Sequence, residues 1–141
     1  MTSIDRFLST YKKLDKDSLD LLSDIYADQI RFIDPVHAID GLENLRAYFQ
    51  SLYLNISTLA FDFENPQTGD EHIFVPWQMR FSHPRLEQGR TIDVPGISQL
   101  RFNAQGKVCF HRDYFDLGAL LYEHLPVLGG VVRVVKKRLG R

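Results

Sequence analysis

Residues 26–41, YADQIRFIDPVHAIDG, contain a short strand, a proline turn and the start of a helix. The β-branched and aromatic residues of 29–33 predict a strand that stops at Asp34-Pro35, since proline cannot donate to a sheet ladder. After Gly41, apolar residues recur at helical spacing to about Leu54, which predicts the long helix of the fold. Asp34 is therefore expected at the end of a strand.

The rest of the chain has helical patterns before this stretch and strand patterns after it. Residues 3–14, with Ser3 as N-cap, and residues 18–26 predict two helices. Residues 58–64, 72–82, 90–102 and 107–115 predict four strands in meander order, because turn residues separate them. Helices followed by antiparallel strands predict an α+β domain, with a curved sheet packed on the N-terminal helices.

Composition is that of one globular domain: 141 residues, 44% hydrophobic and 25% charged. The net charge is -1; residues 125–141 carry five of the cationic residues and no acid, which leaves -6 for the rest. An acidic body argues against a nucleic-acid partner. The lone Cys109 is expected to pack as a small apolar group. No apolar leader or membrane span is found, so we expect a cytoplasmic protein.

Three segments are similar to known families. The stretch from Tyr26 to Val36, with Gly41 opening a helix, resembles the nuclear transport factor 2 superfamily, and its Asp-Pro-Val element resembles ketosteroid isomerase. Residues 100–108, LRFNAQGKV, are also similar to that isomerase. Residues 111–116, HRDYFD, resemble the last strand of limonene epoxide hydrolases and SnoaL-like polyketide cyclases. The resemblance covers residues 7–122 and implies a cone-shaped α+β barrel with an internal cavity, which commonly forms a homodimer through the open sheet face.

The isomerase resemblance implies catalytic roles for two residues. Asp34 matches the general base, and Tyr11 matches a tyrosine that donates to the substrate oxygen. The second donor of the isomerase, a protonated aspartate, is replaced by Ser98. Asp34 before a proline is equally a turn starter, and Tyr11 could be a core residue.

The epoxide hydrolase resemblance implies a different base. Asp113 matches the aspartate that activates water, but the neighbouring tyrosine and asparagine positions are Phe32 and Asp34. The strand expected to supply an arginine and a second aspartate reads WQMR at 77–80, without the Arg-x-Asp pattern. Epoxide opening therefore lacks its expected acid.

Strand alternation places His111, Asp113 and Phe115 on one face. If that face lines the cavity, His111, Asp113 and Asp34 provide two carboxylates and an imidazole for acid and base chemistry. The alternative is a surface ion pair for Asp113. A pocket wall is predicted from the aromatic and polar residues Phe32, His37, Tyr48, Phe74, Trp77, Met79, Ser98, Phe102 and Phe115, which could also fill a solid core.

Metals and cofactors are not expected, because the histidines lack the spacing of a metal site. The 1–124 segment is predicted to be the cone domain and 125–141 a separate tail. The basic and apolar residues of this tail are consistent with three roles: binding to an anionic membrane surface, forming a helix that caps the open end of the cone, or forming a lid over a lipid-like ligand.

Two functions follow from the sequence. The first is small-molecule binding with cofactor-free acid and base catalysis, as in an isomerase, cyclase or epoxide hydrolase acting on a hydrophobic compound. The alternative is a non-catalytic ligand-binding or protein-interaction module with the same fold.

Overall fold

The computed structural model describes residues 1–120 and 128–140 of the chain. The helices are α1 Ser3–Tyr11, α2 Leu22–Ile25, α3 Leu42–Asn55, α4 Leu117–Leu120 and α5 Leu128–Leu139, with short 3-10 turns at Leu19–Leu21 and Glu87–Gly89. The strands are β1 Tyr26–Ile33, β2 Ala38–Asp40, β3 Thr58–Phe63, β4 Gln67–Thr68, β5 Ile73–Ser82, β6 Ile92–Phe102 and β7 Val108–Phe115.

The N-terminal helix is fixed by a capping box. Thr2, and not the predicted Ser3, is the N-cap: its hydroxyl accepts from the Asp5 N–H at 3.2 Å, while the Asp5 carboxylate accepts from the Thr2 N–H at 3.3 Å. The helix ends at Tyr11, three residues before the predicted end. Its Phe7 and Tyr11 side chains are buried against the sheet.

Tyr26 begins a strand, although the sequence pattern placed it at the end of a helix. The predicted helix over 18–26 is a 3-10 turn followed by the single turn of α2, and β1 starts directly after it. The side chain of Tyr26 is buried in the main core, which explains the helix-like spacing of apolar residues up to this point. Strands β2 and β4 are too short to give a sequence signal.

The sheet has the order β2-β1-β7-β6-β5-β3, with β4 paired to β5. The strands β3, β5, β6 and β7 form the predicted antiparallel pairs, whereas β1 joins β7 in parallel. The result is a curved, unclosed sheet, with α1, α2 and α3 packed on its inner face. The parallel pair places the carboxyl ends of β1 and β7 at one edge of the sheet.

The core consists of two clusters of buried side chains. The larger one joins α1, α2 and α3 to the inner face of the sheet and contains aromatic rings such as Phe7, Tyr26 and Phe49. The smaller one lies under β5 and β6, around Phe81 and Val94. Among the described residues, no helix is long and apolar enough to cross a membrane.

Candidate functional site

Asp34 and Asp113 lie next to each other at the edge formed by β1 and β7. The parallel register ends at the pair Ile33 and Arg112, and the residue that follows each of them in sequence is an aspartate. Adjacent strands are separated by about 4.8 Å, so the two backbones remain neighbours there. A cleft of about 270 Å³ opens at this point and is lined by Asp34, Pro35, Arg112, Asp113, Tyr114 and Phe115.

Asp34 starts the turn after β1 and is almost completely covered. One carboxylate oxygen accepts from the N–H groups of Val36 at 2.8 Å and His37 at 2.7 Å. The other accepts from the Tyr48 hydroxyl at 3.0 Å, and the His37 ring lies 3.2 Å from the first. Asp34 is therefore a turn starter, as its alternative interpretation predicted, and it also lines the cleft.

Tyr48 is held in its neutral form by burial and by its contact with Asp34. Burial, followed by the charge of Asp34, raises the pKa of the Tyr48 phenol well above its ordinary value. The phenol therefore stays protonated, and its hydroxyl donates a hydrogen bond to the Asp34 carboxylate. The orientation of Asp34 is set by three donors from the turn and α3.

Asp113 belongs to a second, deeper network. Its Oδ1 atom accepts from the Ser98 hydroxyl at 2.5 Å and lies 2.7 Å from His111 Nε2. Ser98 in turn accepts from the indole N–H of Trp77 at 2.8 Å, and the hydroxyl of Tyr26 lies 2.7 Å from His111 Nδ1. A chain of hydrogen bonds therefore runs from Trp77 on β5 to Tyr26 on β1.

The donors and acceptors in this network have one consistent assignment with an ionised Asp113. Trp77 can only donate, so Ser98 accepts from it and gives its own proton to Asp113. The ionised carboxylate accepts from His111 Nε2–H, which leaves Nδ1 to accept from Tyr26 when the ring is neutral. Both nitrogens of His111 and the hydroxyl groups of Ser98 and Tyr26 then have partners.

Asp113 is the member of this network that reaches the cleft. The His111 side chain is 2% exposed and that of Asp113 is 12% exposed. Both described bonds use Oδ1, and Oδ2 has no hydrogen-bond partner among residues 1–120 and 128–140. The alternative, a surface ion pair of Asp113 with a lysine or arginine, is not found among the described residues, and Arg112 lies over the Tyr114 ring at 4.9 Å.

Residues 4–111 match the family model of the SnoaL-like domain. The chain belongs to this family. The resemblance noted in the sequence is confirmed. No curated protein sequence matches the chain.

Solved structures show the same fold at low sequence identity. A nuclear transport factor 2-like protein of unknown function from Burkholderia pseudomallei K96243 has a TM-score of 0.73 at 16% identity, over 86% of this chain and 96% of that one. A protein assigned to the SnoaL-like polyketide cyclases, from Jannaschia sp. CCS1, has a TM-score of 0.63 at 20% identity, over 73% and 75%. TerC, co-crystallised with polyporic acid, has a TM-score of 0.72 at 11% identity, over 84% and 94%. The predicted α+β cone fold is confirmed.

Several predicted site residues of this SnoaL-like domain support the carboxylates. Phe32 packs edge-on against His111 with ring centres 4.8 Å apart. Phe115 lines the cleft, and its ring lies 6.3 Å from that of Trp77. Ser98 is not free to donate to a ligand, which corrects its predicted role, because Asp113 takes its proton.

Tyr11 packs in the core and does not join the network. Its ring contacts Phe7 at 5.5 Å and Phe61 at 5.4 Å, and in the described part of the chain no hydrogen bond joins its hydroxyl to either aspartate or to His111. Burial raises the pKa of Tyr11 well above its ordinary value. Tyr11 is therefore a core residue, the second of its two predicted roles.

Phe74 was wrongly assigned to the pocket wall. It alternates with Val75 and Trp77 along β5 and pairs with Gln99, so it lies on the outer face of the sheet. Phe102 lies toward α1, 6.2 Å from Phe7, and roughly 13 Å along β6 from Ser98. Met79 packs in the smaller core cluster beside Phe115.

Sequence reasoning missed Tyr26 and the outer rim of the cleft. Tyr26 reaches His111 only because β1 pairs with β7 in parallel, a contact between residues 85 positions apart. Arg112 and Tyr114 line the cleft because it opens at the strand ends, where both faces of the sheet are accessible. Among residues 1–120 and 128–140, no group of three or more His, Cys, Asp or Glu side chains is placed to hold a metal ion.

Proposed function

We propose that this SnoaL-like domain binds a small hydrophobic molecule in the cleft between Asp34 and Asp113, and that Asp113 acts on it as a general base. The observation that supports this most strongly is the placement of Asp113: one oxygen is held by buried His111 and Ser98 while the side chain lines an open cleft. A base must be both oriented and accessible. Asp113 meets both conditions.

The reaction class that fits best is proton transfer beside a carbonyl group. Asp113 would take a proton from the carbon next to the carbonyl, which leaves an enolate. The protonated carboxyl group can exchange with solvent through the open cleft before it gives a proton back to a carbon of that system. No water or cofactor is consumed, and the product is an isomer of the substrate. In a cyclisation, the enolate carbon would instead form a bond to a second carbonyl carbon of the same molecule, the C=O π bond would break, and Asp113 would give its proton to that oxygen. The His111 N–H would remain bonded to Oδ1 throughout and hold the carboxyl group in place.

Epoxide hydrolysis is less well supported than this reaction. It needs an acid for the opening oxygen, and the β5 segment 77–80 lacks the Arg-x-Asp pattern. Steroid isomerisation is also less well supported, because Tyr11 and Ser98 have no proton directed at the cleft. A smaller carbonyl compound fits the site better.

A non-catalytic binding module is the alternative, and the packed interior favours it. The rings of Tyr11, Phe49 and Phe61 occupy the space between α1, α3 and β3. The cleft of about 270 Å³ lies just below the usual range for ligand pockets. Such a module would retain a ligand without forming a product.

Binding can be measured with Trp77, the one tryptophan in the sequence. Its indole is bonded to Ser98 and lies near Phe115, so a ligand in the cleft should change its fluorescence. Polyporic acid, the molecule in the TerC crystals, and small cyclic enones are the first compounds to titrate. We expect saturable changes in emission.

Two phenylalanine variants make this titration specific. Phe115→Ala removes one wall of the cleft and should weaken binding about ten-fold or more. Phe74→Ala changes a half-buried ring on the opposite face and should leave the dissociation constant unchanged. Equal effects of the two variants would place the ligand outside this cleft.

A further inference from the structure

The last helix, α5, exposes an apolar face that the cone does not cover. Val131, Val135 and Leu139 recur every four residues and Val134 lies three after Val131, so the four side chains share one side of the helix. Their exposed fractions are 55%, 50%, 82% and 53% in that order. The helix caps nothing with this face within the described chain.

The other side of α5 is strongly basic. Arg133, Lys136 and Lys137 lie on it, whereas Arg138 lies in the last turn on the side of the valines, and residues 125–141 contain no acid. The remainder of the chain has a net charge of -6, so this segment is a basic stretch in an otherwise acidic chain. Such a helix has the features of an interfacial membrane helix: a wide apolar face, a basic polar face and low overall hydropathy.

The helix lies beside the candidate cleft. Lys136 forms an ion pair with Asp116, which follows the cleft residue Phe115 directly in sequence. This contact ties the last turn of α5 to the end of β7. Whatever surface α5 contacts is therefore close to the mouth of the cleft.

We propose that α5 is a membrane-surface helix that binds anionic phospholipid bilayers. Its valines and Leu139 would insert at the level of the acyl chains, while the lysines and arginines contact the headgroup phosphates. A nucleic acid would leave the apolar face exposed, and a second α5 would bring two basic helices together. An anionic bilayer complements both faces.

Membrane contact at α5 would place the cleft where hydrophobic molecules concentrate. This consequence rests on the proposed function of the cleft, whereas binding of α5 to lipid does not. The two can fail separately: vesicle binding tests the helix, and the Trp77 titration in free solution tests the cleft.

The test is co-sedimentation of the full chain with vesicles of phosphatidylcholine containing about one-third phosphatidylglycerol. We expect binding to these vesicles, little binding to pure phosphatidylcholine, and release at about 0.5 M salt. Two variants distinguish the contribution of the apolar face from that of the basic face. V131S/V134S/V135S/L139S removes the apolar face, and R133E/K137E reverses part of the basic face; each should lower the partition coefficient about ten-fold or more.

Matched controls change the same chemistry elsewhere on the surface. Leu54→Ser alters an apolar residue that is 73% exposed on α3, and K13E/K16E reverses two exposed lysines between α1 and α2. Both should bind vesicles like the wild type. The proposal is overturned if the wild type does not sediment with anionic vesicles, or if control and α5 variants bind equally. A dimer that dissociates in the four-serine variant, with no vesicle binding, would assign the apolar face to a second copy instead.

Discussion

Asp34 and Asp113 lie side by side, and their hydrogen bonds fit them for different tasks. Asp34 uses both oxygens to hold the turn after β1 and to accept from Tyr48. Asp113 uses Oδ1 toward the interior and lines the cleft, and its Oδ2 has no hydrogen-bond partner in the part of the chain that the structure describes. A base that holds its orientation through one oxygen can exchange a proton through the other, which is why we assign the chemistry to Asp113.

His111 is the buried residue on which this arrangement depends. It is 1% exposed and touches the rings of Phe7, Phe32 and Tyr26. A buried imidazole is tolerated when both nitrogens have partners, and Tyr26 and Asp113 provide them. The cleft carboxylate is thereby tied to the core.

Removal of the Tyr26 hydroxyl should show this dependence. Tyr26→Phe leaves His111 Nδ1 buried without a partner, and we expect a loss of about 1–3 kcal/mol in the free energy of unfolding, measured in urea. Tyr114→Phe removes an exposed hydroxyl bonded to Gln99 and should cost less than about 0.5 kcal/mol. Equal losses in the two variants would contradict a structural role for the buried bond.

At the scale of elements, the sequence predicted what depends on local pattern. Strands β3, β5, β6 and β7 and helix α3 start and end within two residues of their predicted positions, because their alternation and turn residues are local signals. His111, Asp113 and Phe115 share one face as alternation required. The fold class could therefore be predicted from the sequence.

The site could be predicted only in part, because its decisive contacts are not local. The pairing of β1 with β7 brings Tyr26 to His111 and Asp34 next to Asp113, and no pattern within either strand reveals the partner. Phe74 was misplaced for a different reason. Residue type alone does not show which face of β5 an aromatic side chain occupies. Only the register with β6 shows that Phe74 and Trp77 lie on opposite faces.

The packing between β5 and β6 makes a prediction at this scale. Gly96 lies opposite Trp77, and a Cβ atom added there would overlap the indole ring. Gly96→Ala should therefore displace Trp77, lengthen its bond to Ser98 and cost about 1–3 kcal/mol in the free energy of unfolding.

Tryptophan emission gives the readout for this variant. A displaced indole should emit at longer wavelength in the folded protein, because it loses part of its cover. Gly140→Ala, whose added Cβ would have ordinary clearance, is the matched control and should change neither stability nor emission. An unchanged spectrum in Gly96→Ala would show that the contact can relax without moving Trp77.

For the whole molecule, buried tyrosines set the stability at high pH. Burial is the largest cause in each case: it raises the pKa of Tyr11, Tyr26 and Tyr48 well above the ordinary value, and that of Tyr53 to about 12. In the unfolded chain these tyrosines have a pKa of about 10 and lose their protons above that pH. The folded state keeps the same protons to a higher pH. Stability is fully present below about pH 10 and falls as the pH rises toward 12.

The free energy of unfolding should fall steeply as the pH rises above about 10, because several tyrosines contribute. Each adds a slope of about 1.4 kcal/mol per pH unit above pH 10, measured as the free energy of unfolding in urea at a series of pH values. Tyr53→Phe removes one of these groups and should reduce the slope by that amount. A slope that is the same in the variant would mean that Tyr53 is not shifted by the fold.

The central claim is that Asp113 abstracts a proton from a molecule held in the cleft, and hydrogen exchange in deuterated water tests it most directly. NMR would follow the loss of the proton next to the carbonyl of a small cyclic enone that binds by the Trp77 titration. We predict faster exchange with the wild type than in buffer, a decrease of about 10²-fold or more in Asp113→Asn, and no change in Asp62→Asn, an exposed carboxylate paired with Arg80. Exchange at the wild-type rate in Asp113→Asn, with ligand binding retained, would contradict the account.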